Sequence, residues 1–187
     1  MLLHVKNMVC ERCILIVRQQ LERLNFQVHH ISLGQVQISP EPDEAQLEEI
    51  NAAFKALGFE LLDNEKEKLV EQIKNQVIRL VHYSNLAEIN QGLIHVVADA
   101  LHKEPAYLSR TFSEVEGLTI EKYIIQQKIE KVKELLEYGE MNLNEISLQM
   151  GYSSSAHLSS QFKSVTGQSP SQYKSSSQQK RRALDQV

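Results

Sequence analysis

A sequence repeat in the second half of this 187-residue chain constrains its fold more than any other feature. The sequence LSRTF at 108–112 aligns with LSSQF at 158–162. The register continues at three later pairs of positions, which are Val115 and Val165, Gly117 and Gly167, and Tyr123 and Tyr173. A repeat that keeps apolar residues, a glycine and an aromatic residue in phase indicates one supersecondary unit used twice.

The second copy of the repeat has the pattern of two short helices joined by a tight turn. The first helix is predicted to end at Gly151, and a serine at 153 or 154 caps the next helix, which ends at Gly167. The residues predicted to be buried, from their helical spacing, are Leu143, Ile146, Met150, Leu158, Phe162 and Val165. Such a pair is a helix-turn-helix, whose second helix can enter the major groove of DNA.

The first copy follows the same plan. Its turn is predicted at 102–104, and Pro105 takes the first position of the second helix, where proline is favoured. A long amphipathic helix predicted over 123–138 then joins the two copies and would fix the spacing between them. The residues predicted to be buried in this copy are Leu93, Val96, Val97, Leu101, Leu108, Phe112 and Val115.

These residues resemble the DNA-binding domain of the AraC family of transcription regulators, in which a long helix joins paired helix-turn-helix units. The resemblance covers roughly 65–174. It is carried chiefly by the sequences GYS at 151–153, FK at 162–163 and SPSQY at 169–173. It implies an all-α double helix-turn-helix domain over 64–174.

The resemblance also implies which side chains contact double-stranded DNA. In the family an arginine of the first recognition helix reads base edges, and Arg110 occupies that position, whereas the second helix has Ser160 there. The second unit would therefore either read bases weakly or position the protein on phosphates. From the residues alone, the alternative for Arg110 is a solvated surface arginine, and Tyr107 could equally pack against the turn. The full set of predicted DNA contacts is Tyr107, Arg110, Thr111, Ser154, Ser155, His157, Ser160, Gln161 and Lys163.

The formal charge of −4 is unusual for a protein that binds DNA. The excess of acidic residues lies mainly in the first half of the chain, and the segment 154–182 contains basic residues but no Asp or Glu. We therefore expect modest, salt-sensitive affinity for DNA. The polar tail at 175–187 is predicted to be disordered, with 180–182 either an arm that contacts phosphates or part of a frayed terminus.

The only two cysteines of the chain lie in the sequence MVCERC at 8–13, immediately after an apolar strand at 2–5. This spacing is typical of a soft-metal or redox site. The elements predicted to follow are a helix from Cys13, strands over 27–32 and 35–39, a helix over 43–57 and a strand over 59–62. This order is that of a ferredoxin-like βαββαβ domain. The chain is therefore predicted to be α+β, with the ferredoxin-like domain over 1–63 and the all-α domain after it.

Residues 1–63 resemble the heavy-metal-associated domain of copper chaperones and metal-pumping ATPases, through the cysteine motif and the sequence LGF at 57–59. The resemblance implies that Cys10 and Cys13 bind one soft ion, typically Cu(I). Thiolates are soft ligands, and two of them suffice for Cu(I) or Ag(I). Side chains that could supplement the pair for Zn(II) or Cd(II) are His4, His29, His30 and Glu11. Alternatively, the pair senses redox state by forming a disulfide, or the domain is a packing module without a metal.

Together these features predict a transcription regulator in which a metal sensor at 1–63 alters the DNA affinity of the domain at 64–174. The alternative is a metal-delivery protein whose second domain recruits a partner protein. An enzyme is not expected, because we find no nucleophile–base pair and no phosphate-binding glycine loop. We expect a cytoplasmic protein, because no apolar run approaches the ~20 residues that span a bilayer. The N-terminus also lacks the charged, then apolar, then small-residue pattern of a signal peptide. DNA would be bound either as a monomer or as a homodimer.

Overall fold

The first part of the chain forms a small sheet with two helices, in the element order that its apolar pattern predicts. The structure is a computed structural model and describes residues 1–89, 91–175 and 181–187. Its first elements are β1 (Leu2–Lys6), α1 (Glu11–Arg23), β2 (Gln27–Ser32), β3 (Gln35–Ser39), α2 (Glu44–Lys55) and β4 (Glu60–Leu61). A loop that contains both cysteines connects β1 with α1.

The strands form one antiparallel four-stranded sheet in the order β2-β3-β1-β4. Alternate side chains of β1 and β3 are buried, as the two-residue period of a strand requires. The core residues of the sheet and its helices include Leu3, Val5, Val36 and Ile38 of the strands, Val17 and Leu21 of α1, and Ile50 and Phe54 of α2. Both helices therefore cover the same apolar core, and the cysteine loop lies at one end of β1.

Helix α3 (Glu65–Tyr83) contains the boundary between the two compact units of the chain, Met1–Asn75 and Gln76–Val187. The sequence prediction instead placed this boundary before the helix. The first half of α3 belongs to the first unit, where it contacts the loop after β1 and the β2–β3 turn. Gly34, in the β2–β3 turn, has a φ of +79°, and a Cβ added to it would collide with the side-chain amide of Asn75. The amphipathic pattern of α3 predicts a buried face but does not reveal what covers it.

The second unit contains both predicted helix-turn-helix pairs and the helix that connects them. Its elements after α3 are a short 3-10 helix (Leu86–Glu88), α4 (Leu93–Leu101), α5 (Pro105–Glu116), α6 (Ile120–Tyr138), α7 (Leu143–Gln149), α8 (Ser155–Thr166), α9 (Pro170–Ser175) and a second 3-10 helix (Leu184–Gln186). The pairs are α4 with α5 and α7 with α8, and α6 is the connector. Within the described ranges, no helix of the chain is long and apolar enough to cross a membrane.

The second helix of each pair buries the leucine and the phenylalanine that the repeat predicts. These residues are Leu108 and Phe112 in α5 and Leu158 and Phe162 in α8. The prediction that Val115 and Val165 complete the buried faces is wrong, because they are 38% and 39% exposed. Each lies in the last turn of its helix, where the chain leaves the core.

Residues 181–187 also differ from the prediction, which made them part of a disordered tail. They include the second 3-10 helix and lie against α6, where Arg181 Nη2 is 2.7 Å from Glu134 Oε2. Lys180 of the predicted phosphate-contacting arm lies outside the described residues. A contact between a polar tail and a distant helix has no periodic signal in sequence, which explains why the prediction missed it.

Candidate DNA-binding surface and cysteine loop

Helix α5 is the candidate recognition helix of the first pair. It begins at Pro105, after a turn in which His102 adopts a left-handed conformation with φ 52°. Arg110 and Tyr107 are both exposed on this helix, which leaves them available to DNA. Thr111 is only 2% exposed, so the prediction that it contacts DNA does not agree with its position on the buried face.

Helix α8 is the candidate recognition helix of the second pair. Its cap is Ser154, whose hydroxyl oxygen accepts the backbone N–H of His157 at 3.1 Å. The imidazole Nδ1 of His157 is 3.1 Å from Ser153 Oγ, so the ring is held at the first turn of the helix. Ser160 and Lys163 are exposed further along the helix. This helix therefore presents small polar groups and one cation to solvent.

Tyr152, in the turn between α7 and α8, is 8% exposed and was not among the predicted site residues. Its ring packs edge-on against the ring of His157, with 5.4 Å between centroids. The ammonium group of Lys128, on α6, lies 4.0 Å from the centre of the Tyr152 ring. Burial lowers the pKa of Lys128 to about 8 and raises that of Tyr152 above its usual range. Tyr152 thus links the connector helix to a predicted DNA contact.

Gln161 is held in place by the same tyrosine. The hydroxyl group of Tyr152 donates to Gln161 Oε1 at 2.6 Å, and Gln161 is half-buried. A bidentate contact with adenine would need that oxygen as an acceptor. Gln161 corresponds to the buried Thr111 in the repeat, so both positions face inward and support the helix pair. Ser155 is half-buried as well.

The cysteine loop places two sulfur atoms side by side. Cys10 is the cap residue of α1 and Cys13 lies in the first turn, and both are free thiols whose Sγ atoms are 3.4 Å apart. Each cysteine is partly exposed, whereas Met8 is fully buried. Met8 therefore serves as a hydrophobic anchor under the loop. The loop therefore presents two soft donors that a small ion can reach.

The two thiols differ in acidity. Burial raises the pKa of Cys10, but hydrogen bonds from the backbone N–H and thiol of Cys13, with the backbone N–H and charge of Arg12, outweigh burial and lower it. Burial raises the pKa of Cys13, and its hydrogen bond and charge interaction with Cys10 add to that effect. Cys10 is therefore the thiol that ionises first, as expected for a sulfur at a helix N-terminus.

The donor set suits a soft ion with few ligands. Two thiolates satisfy Cu(I) or Ag(I), whereas a closed zinc site needs four ligands. Among the described residues, no group of three or more His, Cys, Asp and Glu side chains is arranged to hold a metal. The side chains predicted to supplement the pair for Zn(II) or Cd(II), His4, His29, His30 and Glu11, therefore do not gather around it. His29, for example, has its Nε2 2.6 Å from Ser39 Oγ.

Asn7 connects the cysteine loop with α3 inside the first unit. It has a φ of 70°, and its backbone N–H donates to Glu71 Oε1 at 3.0 Å. Its side-chain amide donates to the carbonyl oxygen of Gly58 at 2.9 Å, and its own carbonyl oxygen lies 4.0 Å from Cys13 Sγ. Glu71 is 6% exposed. One residue therefore contacts a candidate metal ligand and a buried carboxylate of α3, and sequence reasoning identified neither Asn7 nor Glu71.

The arrangement of the second unit defines a double helix-turn-helix domain, a class of module that binds DNA. Residues 97–176 match the family described as a helix-turn-helix domain. The structure resembles the C-terminal domain of AraT, a response regulator from Geobacillus stearothermophilus, with a TM-score of 0.50 and 25% identity, covering 59% of this chain and 87% of that one. Over these residues the chain is therefore a helix-turn-helix domain with the fold of that response-regulator domain.

Two curated proteins are similar to this chain in sequence. The Msm operon regulatory protein of Streptococcus mutans is 31% identical over 102 residues, which are 54% of this chain and 35% of that protein. The bifunctional transcriptional activator and DNA repair enzyme AdaA of Bacillus subtilis is 28% identical over 78 residues, or 42% of this chain and 37% of that protein. The chain thus spans little more than a third of the length of either relative.

Proposed function

We propose that this protein is a sequence-specific transcription regulator whose DNA affinity responds to a soft metal ion, most favourably Cu(I), bound by Cys10 and Cys13. The observation that carries the proposal is a partly exposed dithiol, with sulfur atoms 3.4 Å apart, in the same chain as a helix-turn-helix domain. The similarity of the chain to an operon regulatory protein and to a bifunctional transcriptional activator and DNA repair enzyme supports the regulatory role.

The heavy-metal-associated character of residues 1–63 is part of this proposal. Its support is the order βαββαβ, the strand order β2-β3-β1-β4 and a dithiol loop directly after β1. Cys10 and Cys13 would hold the ion, and the ion would supply a bridge between two thiolates that otherwise repel each other. The lowered pKa of Cys10 favours binding because it increases the fraction of thiolate, the ligand form, at a given pH.

The contacts of Asn7 offer a route from the ion to the rest of the chain. An ion can change DNA affinity only if it binds one arrangement of the protein better than another. Binding would deprotonate Cys13 and so remove the weak hydrogen bond of its thiol to the Asn7 carbonyl oxygen, 4.0 Å away. The backbone N–H of the same residue is bound to Glu71 on α3, and α3 continues into the second unit. A displacement of Asn7 therefore acts on a helix that both units share.

The proposal is tested by anaerobic titration of the reduced protein with Cu(I) against a competing chelator, with and without operator DNA selected from a random pool. We expect one tightly bound ion and a DNA affinity that changes by a factor within the usual range of about 5–150. Tight binding without any change in DNA affinity would instead indicate metal storage or delivery. Absence of binding would contradict the metal assignment.

Glu71→Ala is expected to uncouple the two events without preventing either of them. Removing the carboxylate frees the backbone N–H of Asn7 but leaves both sulfur atoms in place, so Cu(I) affinity of the DNA-free protein should remain within about twofold. The ratio of DNA affinities with and without Cu(I) should approach 1. Glu67→Ala is the matched control, because Glu67 is exposed on the same helix and its loss should leave the ratio unchanged. An unaltered ratio in Glu71→Ala would place the coupling elsewhere.

A second candidate function is redox sensing by the same loop. The 3.4 Å separation of two free thiols and the lowered pKa of Cys10 both favour disulfide formation. A second measurement of DNA affinity, with a thiol oxidant present and all metals chelated, separates the two functions. A redox sensor changes its DNA affinity under these conditions, whereas a metal sensor does not.

A further inference from the structure

The C-terminal residues 181–187 lie against helix α6 and contact it through charged and polar groups. Arg181 Nη2 is 2.7 Å from Glu134 Oε2. The backbone N–H of Arg182 donates to Glu130 Oε2 at 3.0 Å, and Arg182 Nε is 3.5 Å from Glu130 Oε1. Two consecutive arginines therefore bind two carboxylates that lie one helical turn apart on the connector between the helix-turn-helix pairs.

Glu130 makes this contact more than a surface ion pair. Its side chain is only 2% exposed, and its second cationic partner is Lys133, whose Nζ is 2.6 Å away. A buried carboxylate is costly unless donors surround it, and removing one of its partners is much more harmful than breaking an exposed pair. Arg182 supplies both a backbone and a side-chain donor to this group. The segment thus completes the hydrogen bonding of a buried charge.

Gln127 extends the contact to the end of α3. It is fully buried, and its side-chain amide donates to the carbonyl oxygen of Leu184 at 3.2 Å and to the hydroxyl of Tyr123 at 3.0 Å. A backbone carbonyl can only accept, so the amide nitrogen must face Leu184 and the amide oxygen must face His82. His82 Nε2, 2.8 Å from that oxygen, is then a donor. The orientation set by the C-terminal segment therefore fixes a hydrogen bond between α6 and the last turn of α3.

The surroundings of His82 are consistent with this arrangement. Burial lowers its pKa, the hydrogen bond that His82 donates to Gln127 opposes that effect, and the charges of Lys131, Glu134 and Arg181 act in both directions. The net shift is downward, so the imidazole is neutral at neutral pH and carries its proton on Nε2.

We infer that residues 181–187 are an internal strap that fastens α6 to the end of α3, and that Arg181 and Arg182 stabilise the DNA-binding unit rather than contact DNA phosphates. The inference replaces the phosphate-contacting arm that the basic sequence suggested. Since α6 sets the spacing between α5 and α8, the strap supports DNA binding indirectly. Its arginines are neutralised within the protein, so they release no counterions from DNA.

An Arg181→Ala/Arg182→Ala variant tests the strap by two measurements. Each phosphate contact contributes about 0.9 to the slope of log affinity against log salt concentration, so an arm would lose about 1.8. The strap predicts a slope unchanged within half a unit and a midpoint of thermal unfolding lower by roughly 5 °C. The matched comparison is Lys163→Ala, which removes an exposed cation of α8 and should leave the midpoint unchanged.

A fall in the slope by one unit or more would overturn the inference, and so would an unchanged midpoint. If the double variant does not fold, amide hydrogen exchange of the intact protein decides the question. The strap predicts that the Arg182 amide, bonded to a buried carboxylate, exchanges at least tenfold more slowly than in an unstructured chain. Exchange at the unprotected rate would show that the segment does not hold α6.

Discussion

A Cys10→Ser/Cys13→Ser variant is expected to lose tight Cu(I) binding and, with it, any change of DNA affinity on adding the ion. A hydroxyl is a hard and weakly acidic ligand, so it replaces a thiolate poorly at a soft ion. Losing both ligands should lower the affinity by far more than the roughly 10–100-fold that loss of a hydrogen-bonding neighbour costs. Chelator competition under anaerobic conditions measures this loss directly.

The same variant should bind operator DNA in the absence of metal as the native protein does. The two cysteines lie in the first unit, and the candidate recognition helices lie in the second. Met8→Leu is the matched control, because Met8 is fully buried and the substitution conserves its volume. That variant should keep both the ion and the response. A metal response that persists in the double serine variant would contradict the assignment of these cysteines as the sensor.

Much of this architecture could be predicted from local patterns. Apolar alternation and helical spacing predict the strands and helices of both units, because burial of one face imposes a period on the sequence. The inward-facing residues were harder to predict. Thr111 and Gln161 are polar, and a helical repeat alone does not show that their side chains face the core. Val115 shows the opposite error: it was predicted to be buried but is exposed, because an apolar residue in the last turn of a helix need not be covered.

Hydrogen bonds between polar groups that are distant in sequence could not be predicted at all. Asn7 and Glu71 are separated by 64 positions, and Gln127 and Leu184 by 57. Such hydrogen bonds form only when the fold brings the two residues together. Neither residue lies in a sequence pattern that would mark it as a partner of the other. They nevertheless support both the proposed coupling through α3 and the stabilising role of the C-terminal strap. Local periodicity predicts the elements, whereas the polar contacts that join them emerge only from the assembled fold.

Arg110→Ala is expected to weaken binding to the selected operator by roughly 5–150-fold, because a bidentate contact between arginine and a guanine edge is worth about 1–3 kcal/mol. Arg110 is exposed on α5 and occupies the position at which the resemblance to the AraC family implies a contact with a base. The matching position of α8 is Ser160, which cannot make a bidentate contact of this kind. We therefore expect the first candidate recognition helix to contribute more to sequence discrimination than the second.

The sequence dependence of the loss distinguishes base reading from a general charge effect. If Arg110 reads a base, its removal should relax discrimination at one operator position and leave affinity for unrelated DNA nearly unchanged. Arg79→Ala is the matched control, because it removes an equally exposed arginine of the same unit outside both recognition helices. Fluorescence anisotropy with the operator and with single-base variants measures both effects. Equal losses for every sequence would make Arg110 a phosphate contact, and undiminished operator affinity would remove it from the interface.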